Sequence, residues 1–263
     1  MNNKILVFSL VAVLALGALA GSVYNWVLGP TLAPSGELTA IPVLPVESTT
    51  TPTSASLAEA TPNTAPTASV ALATEAATAA VNTGAGLKVL QIVPSESEVR
   101  FVLSEVLRGQ PTTVVGLTNQ VAGEIAVDAS DLSTAQVGVI QVNARELATD
   151  NNQRNRAIRN FILNTDQYEF ISFTPTGVIG LGGSAQPGDT FTFQLAGDLT
   201  IRDITQPVVF DVTATVEAMD RLSGSAAVTL RRAEYALSIP RVPSVADVSE
   251  EVRVELDFVA AGS

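Results

Sequence analysis

The chain has 263 residues, no Cys, no His and a formal net charge of −12, with a pI near 4.4. Without Cys there is no disulfide, thiolate nucleophile, zinc–sulfur site or acylated lipobox cysteine; without His the commonest general base and transition-metal ligand is gone, and Ser-His-Asp triads and H-E-x-x-H metalloproteases go with it. The acidic balance argues against nucleic acid, because phosphate binding needs a basic stripe.

Residues 5–28, ILVFSLVAVLALGALAGSVYNWVL, form an apolar run without a single charge. A bilayer-spanning helix needs about 20 such residues. Lys4 precedes the run and the next charge is Glu37, which puts the N-terminus in the cytoplasm. Two readings stand side by side. The run is an uncleaved membrane anchor, with Tyr24 and Trp26 in an interfacial belt, or it is a signal segment cut after Ala20. Either way the remainder is expected outside the cytoplasm, at the cell envelope or periplasmic side, or secreted if cut.

From 29 to 85 the composition turns to Pro, Thr, Ala and Ser, and the only charges are Glu37, Glu47, Glu59 and Glu75. Such a stretch buries too little apolar surface to offset ordering entropy, so a disordered linker is expected. O-linked glycosylation of its Thr and Ser is left open.

A folded domain is expected over 86–263. Glu98–Ser104 alternates, with Val99, Phe101 and Leu103 facing in, and Thr113–Leu117, Gln120–Asp128 and Gly138–Asn143 follow as strands. Gly123 inside the third of these predicts a bend or bulge. Thr149 or Asp150 is positioned to cap a helix over Asn151–Leu163, whose stripe is Ile158, Phe161 and Ile162. Arg154, Arg156 and Arg159 lie along it, either as a clamp for an anionic head group or as a solvated face.

Tyr168–Thr174 is the next strand, and Thr190–Val212 then reads as a hairpin. Phe191, Phe193, Leu195, Leu199 and Ile201 share one face; Arg202 to Gln206 turn the chain; Val208, Phe210 and Val212 share the inner face of the return. Val212–Glu217, Ser225–Arg231, Tyr235–Ile239 and Val252–Val259 complete the set. Many short strands with one helix indicate an all-β, antiparallel up-and-down barrel or a sandwich.

Gly180-Leu181-Gly182-Gly183-Ser184-Ala185 fits G-x-G-x-x-A but opens no helix, so it reads as a hairpin loop rather than a dinucleotide site. Glu234, Asp247, Glu250 and Glu251 lack calcium-loop spacing. Arg232 and Glu234 fall on one strand face and suggest an ion pair at a barrel end. No catalytic residues and no metal ligands emerge.

The run Gly197-Asp198-Leu199-Thr200-Ile201-Arg202-Asp203-Ile204-Thr205-Gln206-Pro207-Val208 resembles the G-x-L-T-I-R-G-x-T-x-P-V signature of the YceI-like family, extracytoplasmic lipocalin-like barrels associated with polyisoprenoid binding. Asp203 stands where that family has Gly. Tyr168-Glu169-Phe170-Ile171-Ser172-Phe173 is similar to its Y-P-x-I-x-F, with Glu169 for Pro. Arg232-Ala233-Glu234-Tyr235-Ala236-Leu237 is similar to its R-x-D-F-G-I, with Ala236 for Gly. The segment from Asn143 to Phe161 and the tail from Ala246 to Val252 also match in order, while the family's opening P-A-H-S appears as Pro94-Ser95-Glu96-Ser97.

The resemblance implies a lipocalin-like barrel that binds a long apolar chain, a polyisoprenoid or isoprenoid quinone, without catalysis. Phe101, Phe173, Phe193, Leu195, Phe210, Leu230 and Leu256 are the lumen candidates, and Arg154, Arg156 and Arg159 the head-group candidates. No cofactor is expected beyond such a lipid. The expected partners are the lipid and, through residues 5–28, a membrane; a homodimer is left open. Large apolar residues at strand spacing are ordinarily plain core, so the alternative is a tethered structural or protein-interaction barrel with a filled interior.

Overall fold

Period-two alternation carries through into the architecture. The computed structural model describes residues 32–36, 38–43 and 86–262. The apolar run 5–28 and most of the 29–85 linker lie outside the described residues. Among the described residues no helix is long and apolar enough to cross a membrane.

The strands are β1 (Lys88–Ile92), β2 (Glu98–Leu107), β3 (Gln110–Thr118), β4 (Val121–Ala122), β5 (Glu124–Val127), β6 (Gln136–Val137) and β7 (Ile140–Asn143). After the helix α1 (Asn152–Ala157) come β8 (Phe170–Ile179), β9 (Thr190–Ile201), β10 (Ile204–Ala218), β11 (Arg221–Arg231), β12 (Val245–Ala246) and β13 (Glu251–Ala261). All belong to one antiparallel sheet. A meander runs from β7 through β8, β9, β10 and β11 to β13. β13 pairs β2 along its first half and β1 at its end. β3 lies against β2, and β5 against β1. β4 pairs β7, and β5 pairs β6, so the ladder returns to the strands where the meander began. The sheet curls round on itself.

Across Gly123 the register slips by one residue, from Ala122 opposite Gln141 to Ile125 opposite Val137. This is the bend that a strand glycine predicted. β9 and β10 form the expected hairpin, but its turn is Arg202 and Asp203 alone and not Arg202 to Gln206: Ile201 lies opposite Ile204, and Thr205 and Gln206 already pair with Thr200 and Leu199. The left-handed residue of its turn is Arg202, at φ 60°. β10 also runs unbroken to Ala218, so the separate strand expected from Val212 is its continuation. β1 is an addition to the strands that alternation picks out.

Two local expectations are corrected. Asn151, not Thr149 or Asp150, caps the helix: its Oδ1 accepts from the N–H groups of Gln153 and Arg154 at 2.8 and 3.1 Å. Thr149 is engaged elsewhere, its N–H and hydroxyl both donating to Asn155 Oδ1. The helix then widens into a π-turn over Ile158–Ile162. Tyr235–Ile239 is not a strand either. Arg232–Tyr235 forms a 3-10 turn that ends at Ala236 with φ 48°. A left-handed residue with a Cβ costs roughly 1 kcal/mol relative to glycine. Ala236→Gly is therefore expected to raise stability by about 0.5–1 kcal/mol, read as a higher urea midpoint with an unchanged slope.

Part of the stretch read as a linker falls among the described residues. Residues 32–36 and 38–43 lie along the outside of the barrel. The Leu32 N–H donates to Asp166 Oδ1 at 2.8 Å, the Ser35 N–H to Glu169 Oε1 at 2.7 Å and the Val43 N–H to Glu124 Oε2 at 3.0 Å. Backbone groups that find fixed acceptors overcome the entropy that low hydrophobicity alone cannot.

Candidate functional site

The inner face of the barrel is apolar on every long strand apart from Glu105 on β2, and it is not closely packed. A cavity of ≈1100 Å³ occupies one end of the interior. Of the lumen candidates, Phe101, Phe173, Leu195, Phe210, Leu230 and Leu256 all line it, contributed by six different strands. Phe193 does not. It belongs to a second space of ≈110 Å³ at the opposite end. Ile140, Leu195, Ala226 and Leu256 border both spaces and form a waist between them.

Glycines opposite aromatic rings help to keep the larger space open. A Cβ on Gly116 would lie 2.2 Å from the ring of Phe101, and one on Gly197 would lie 2.5 Å from the ring of Phe173. With hydrogen at these positions the rings lie down against the wall instead of standing into the lumen. Phe173 also meets Phe210 edge to face, with centroids 5.0 Å apart, an arrangement that fixes both rings.

The mouth is framed by α1 and by the chain between β11 and β13. Asn151, Arg154, Ala157 and Ile158 border it on one side, and Leu237, Ile239 and Val242 on the other. Arg154 reaches the buried Glu105 on β2 at 2.7 Å and also pairs with Asp150. Arg156 is exposed and Arg159 half-buried, and neither borders the cavity. Three arginines along one short helix therefore do not converge: their 100° steps send Arg156 away from the face that Arg154 shows to the lumen.

Arg232 does not pair with Glu234. It binds Glu250 at 3.1 Å and donates to the carbonyls of Ser249, Leu237 and Val248 at 2.8, 3.2 and 3.3 Å. One planar guanidinium thus ties the whole rim segment to the end of β11. Glu250 in turn accepts from the Ala233 N–H. Among the described residues no three His, Cys, Asp or Glu come together in a way that could hold a metal ion.

Sequence reasoning missed two polar groups on this wall. Glu105, with its side chain 6% exposed, points inward on a strand whose other inward residues are apolar. Tyr235 is 1% exposed and its hydroxyl has no partner among the described residues. Burial, with the neighbouring Glu234 charge, pushes its ionisation up to about 12. Tyr235 replaces the Phe of the resembled motif, and that difference was the available signal.

A family model described as the YceI-like domain matches residues 90–260. The solved structure of a polyisoprenoid binding domain from Saccharophagus degradans, implicated in plant cell wall breakdown, is 14% identical with a TM-score of 0.53, covering 67% of this chain and 99% of its own. Burkholderia cenocepacia BcnA is likewise 14% identical, with a TM-score of 0.52, and covers 65% of this chain and 99% of its own. At that identity the likeness is one of fold. A search of curated proteins returns no match.

Proposed function

Because the chain belongs to the YceI-like domain family, we propose that it is a lipid-binding protein whose lipocalin-like barrel holds one long apolar chain, a polyisoprenoid or isoprenoid quinone, as a carrier or store without catalysis. The cavity of ≈1100 Å³ with its almost wholly apolar wall carries this reading. At about 30 Å³ for each water-sized heavy atom, the space accommodates about 35 to 40 atoms, or seven to eight five-carbon isoprene units. Each Å² of chain and wall removed from water contributes about 25 cal/mol, so a hydrocarbon needs no polar anchor to bind. The six lumen candidates on the wall of the larger cavity would make these contacts. Phe193 would meet only a chain that passes the waist. Of the three helix arginines, Arg154, which borders the cavity, would be the one to meet a head group.

The Saccharophagus degradans protein of similar fold is a polyisoprenoid binding domain, which supports the ligand class. Anchoring by residues 5–28 would place the barrel outside the cytoplasm, beside the membrane that contains such lipids. The test is native mass spectrometry of the purified protein, followed by solvent extraction. A bound species of several hundred daltons that proves to be an isoprenoid is expected. Bare protein that also takes up no added polyprenol would overturn the reading and favour a barrel that acts through its outer surface.

A further inference from the structure

Outside the barrel, away from the lumen, lies a polar cluster that lipid binding does not use. Asn143 at the end of β7 is fully buried and donates to Glu169 at 3.0 Å. Arg145 pairs with Glu169 at 2.8 Å, the two side chains being 8% and 11% exposed. Arg145 also donates to the carbonyl of Thr165 at 2.9 Å. Nearby on β5, the buried Glu124 accepts from Gln91 at 3.1 Å. These carboxylates are held in place by the barrel itself, yet each has acceptor capacity to spare.

That capacity is taken up by residues 32–36 and 38–43. Asp166, Glu169 and Glu124 accept the backbone N–H groups of Leu32, Ser35 and Val43. The Ser35 hydroxyl adds a second bond to Glu169, and Arg145 donates to the Ala33 carbonyl at 2.9 Å. Gly138 lets the chain pass close: a Cβ there would lie 3.1 Å from Val43 Cγ2 and 3.3 Å from the Ile41 carbonyl oxygen. Charge-assisted bonds to main-chain donors suit an extended segment.

We propose that this face is a dock for the chain's own juxtamembrane segment, and that docking parks the barrel flush against the membrane which residues 5–28 enter. The proposal rests on the anchoring part of the reading above. Leu32 is four residues beyond Leu28, the last of the apolar run, a reach of at most about 14 Å when extended. An undocked chain from 29 to 85 would instead hold the barrel at a typical distance of about 40 Å, with far longer excursions. With the strap in place, residues 44–85 do not set the distance from the membrane. Lipid then passes between bilayer and lumen without the barrel travelling.

The absence of Cys makes a single label unique. The full chain carrying Gln167→Cys, beside the Asp166 that holds Leu32, is labelled with a fluorophore. It is then reconstituted in phosphatidylethanolamine–phosphatidylglycerol vesicles containing lipid with a head-group nitroxide. Strong quenching is expected, and its loss in Leu32→Pro/Ser35→Pro, which removes two strap N–H groups and the hydroxyl. Both residues are exposed, so the barrel keeps its fold, checked by circular dichroism. Equal quenching in both proteins, no quenching in the parent, or a chain that does not float with vesicles would each overturn the proposal. A protein that yields bound isoprenoid but shows no quenching fails here alone; one that is quenched but carries and takes up no lipid fails only the lumen reading.

Discussion

Ala226→Trp is expected to weaken lipid binding nearly a hundredfold while leaving the sheet intact. Ala226 sits on β11 opposite Leu256, is 8% exposed, and borders both internal spaces at the waist. An indole there has empty volume to enter, so it avoids the overpacking that makes large side chains costly in a filled core. It occupies the floor of the lumen instead of displacing its wall. A ligand that forfeits about 100 Å² of apolar contact loses about 2.5 kcal/mol, close to two decades in Kd. Val209→Trp, at an outward position of the neighbouring β10, is the control and should bind as the parent does. Polyprenol titration followed by native mass spectrometry reads both variants. If Ala226→Trp binds normally, the larger cavity is not the site.

Arg145→Met is expected to destabilise the domain by roughly 1–3 kcal/mol, because Glu169 keeps its bonds from Asn143 and Ser35 but loses its counter-charge in a nearly closed site. Glu169→Leu should cost less. The guanidinium it leaves behind keeps the carbonyls of Thr165, Ala33 and Asp166 as acceptors. The double variant should be more stable than the sum of the two losses, since it removes both charges together. Urea unfolding of the four proteins gives the coupling directly.

Burial alone would raise the Glu169 carboxyl, but hydrogen bonds from Ser35 and Asn143 and the Arg145 charge outweigh it and hold it below its ordinary value of 4.5. A carboxylate lowered in the folded state stabilises fully above 4.5, and that contribution fades as pH falls through the lowered value. The parent should therefore lose stability on acidification below 4.5, with a shallower acid limb in Glu169→Leu. A four-protein cycle without coupling, or equal acid limbs, would count against this ion pair.

Much of the barrel was legible because alternation is a local property. Phe191 to Ile201 and Val252 to Phe258 announce which face is buried whatever lies across from them, and Gly123 announces a break in register. The helix was legible in place but not in detail, since a π-turn and an Asn151 cap depend on how Asn155 and Thr149 meet. Tyr235–Ile239 looked like a strand because its composition suits one. What prevents a strand there is Arg232, whose acceptors lie up to 18 residues away in sequence.

By itself the sequence determined most of the long strands, the largely apolar character of the inner face and the chemistries that the absence of Cys and His rules out. Those follow from residue type and from the two-residue period of a strand. Only the tertiary structure decided that the inner face encloses space, that Phe193 falls beyond the waist, and that Arg154 alone among the helix arginines reaches the mouth. It also decided that Glu169, set where the family has Pro, is joined to Ser35 across more than a hundred residues of chain. Volume and long-range pairing belong to the curled sheet as a whole. Gly116 opposite Phe101 reads as a weak strand residue until the ring across from it is seen lying in its place.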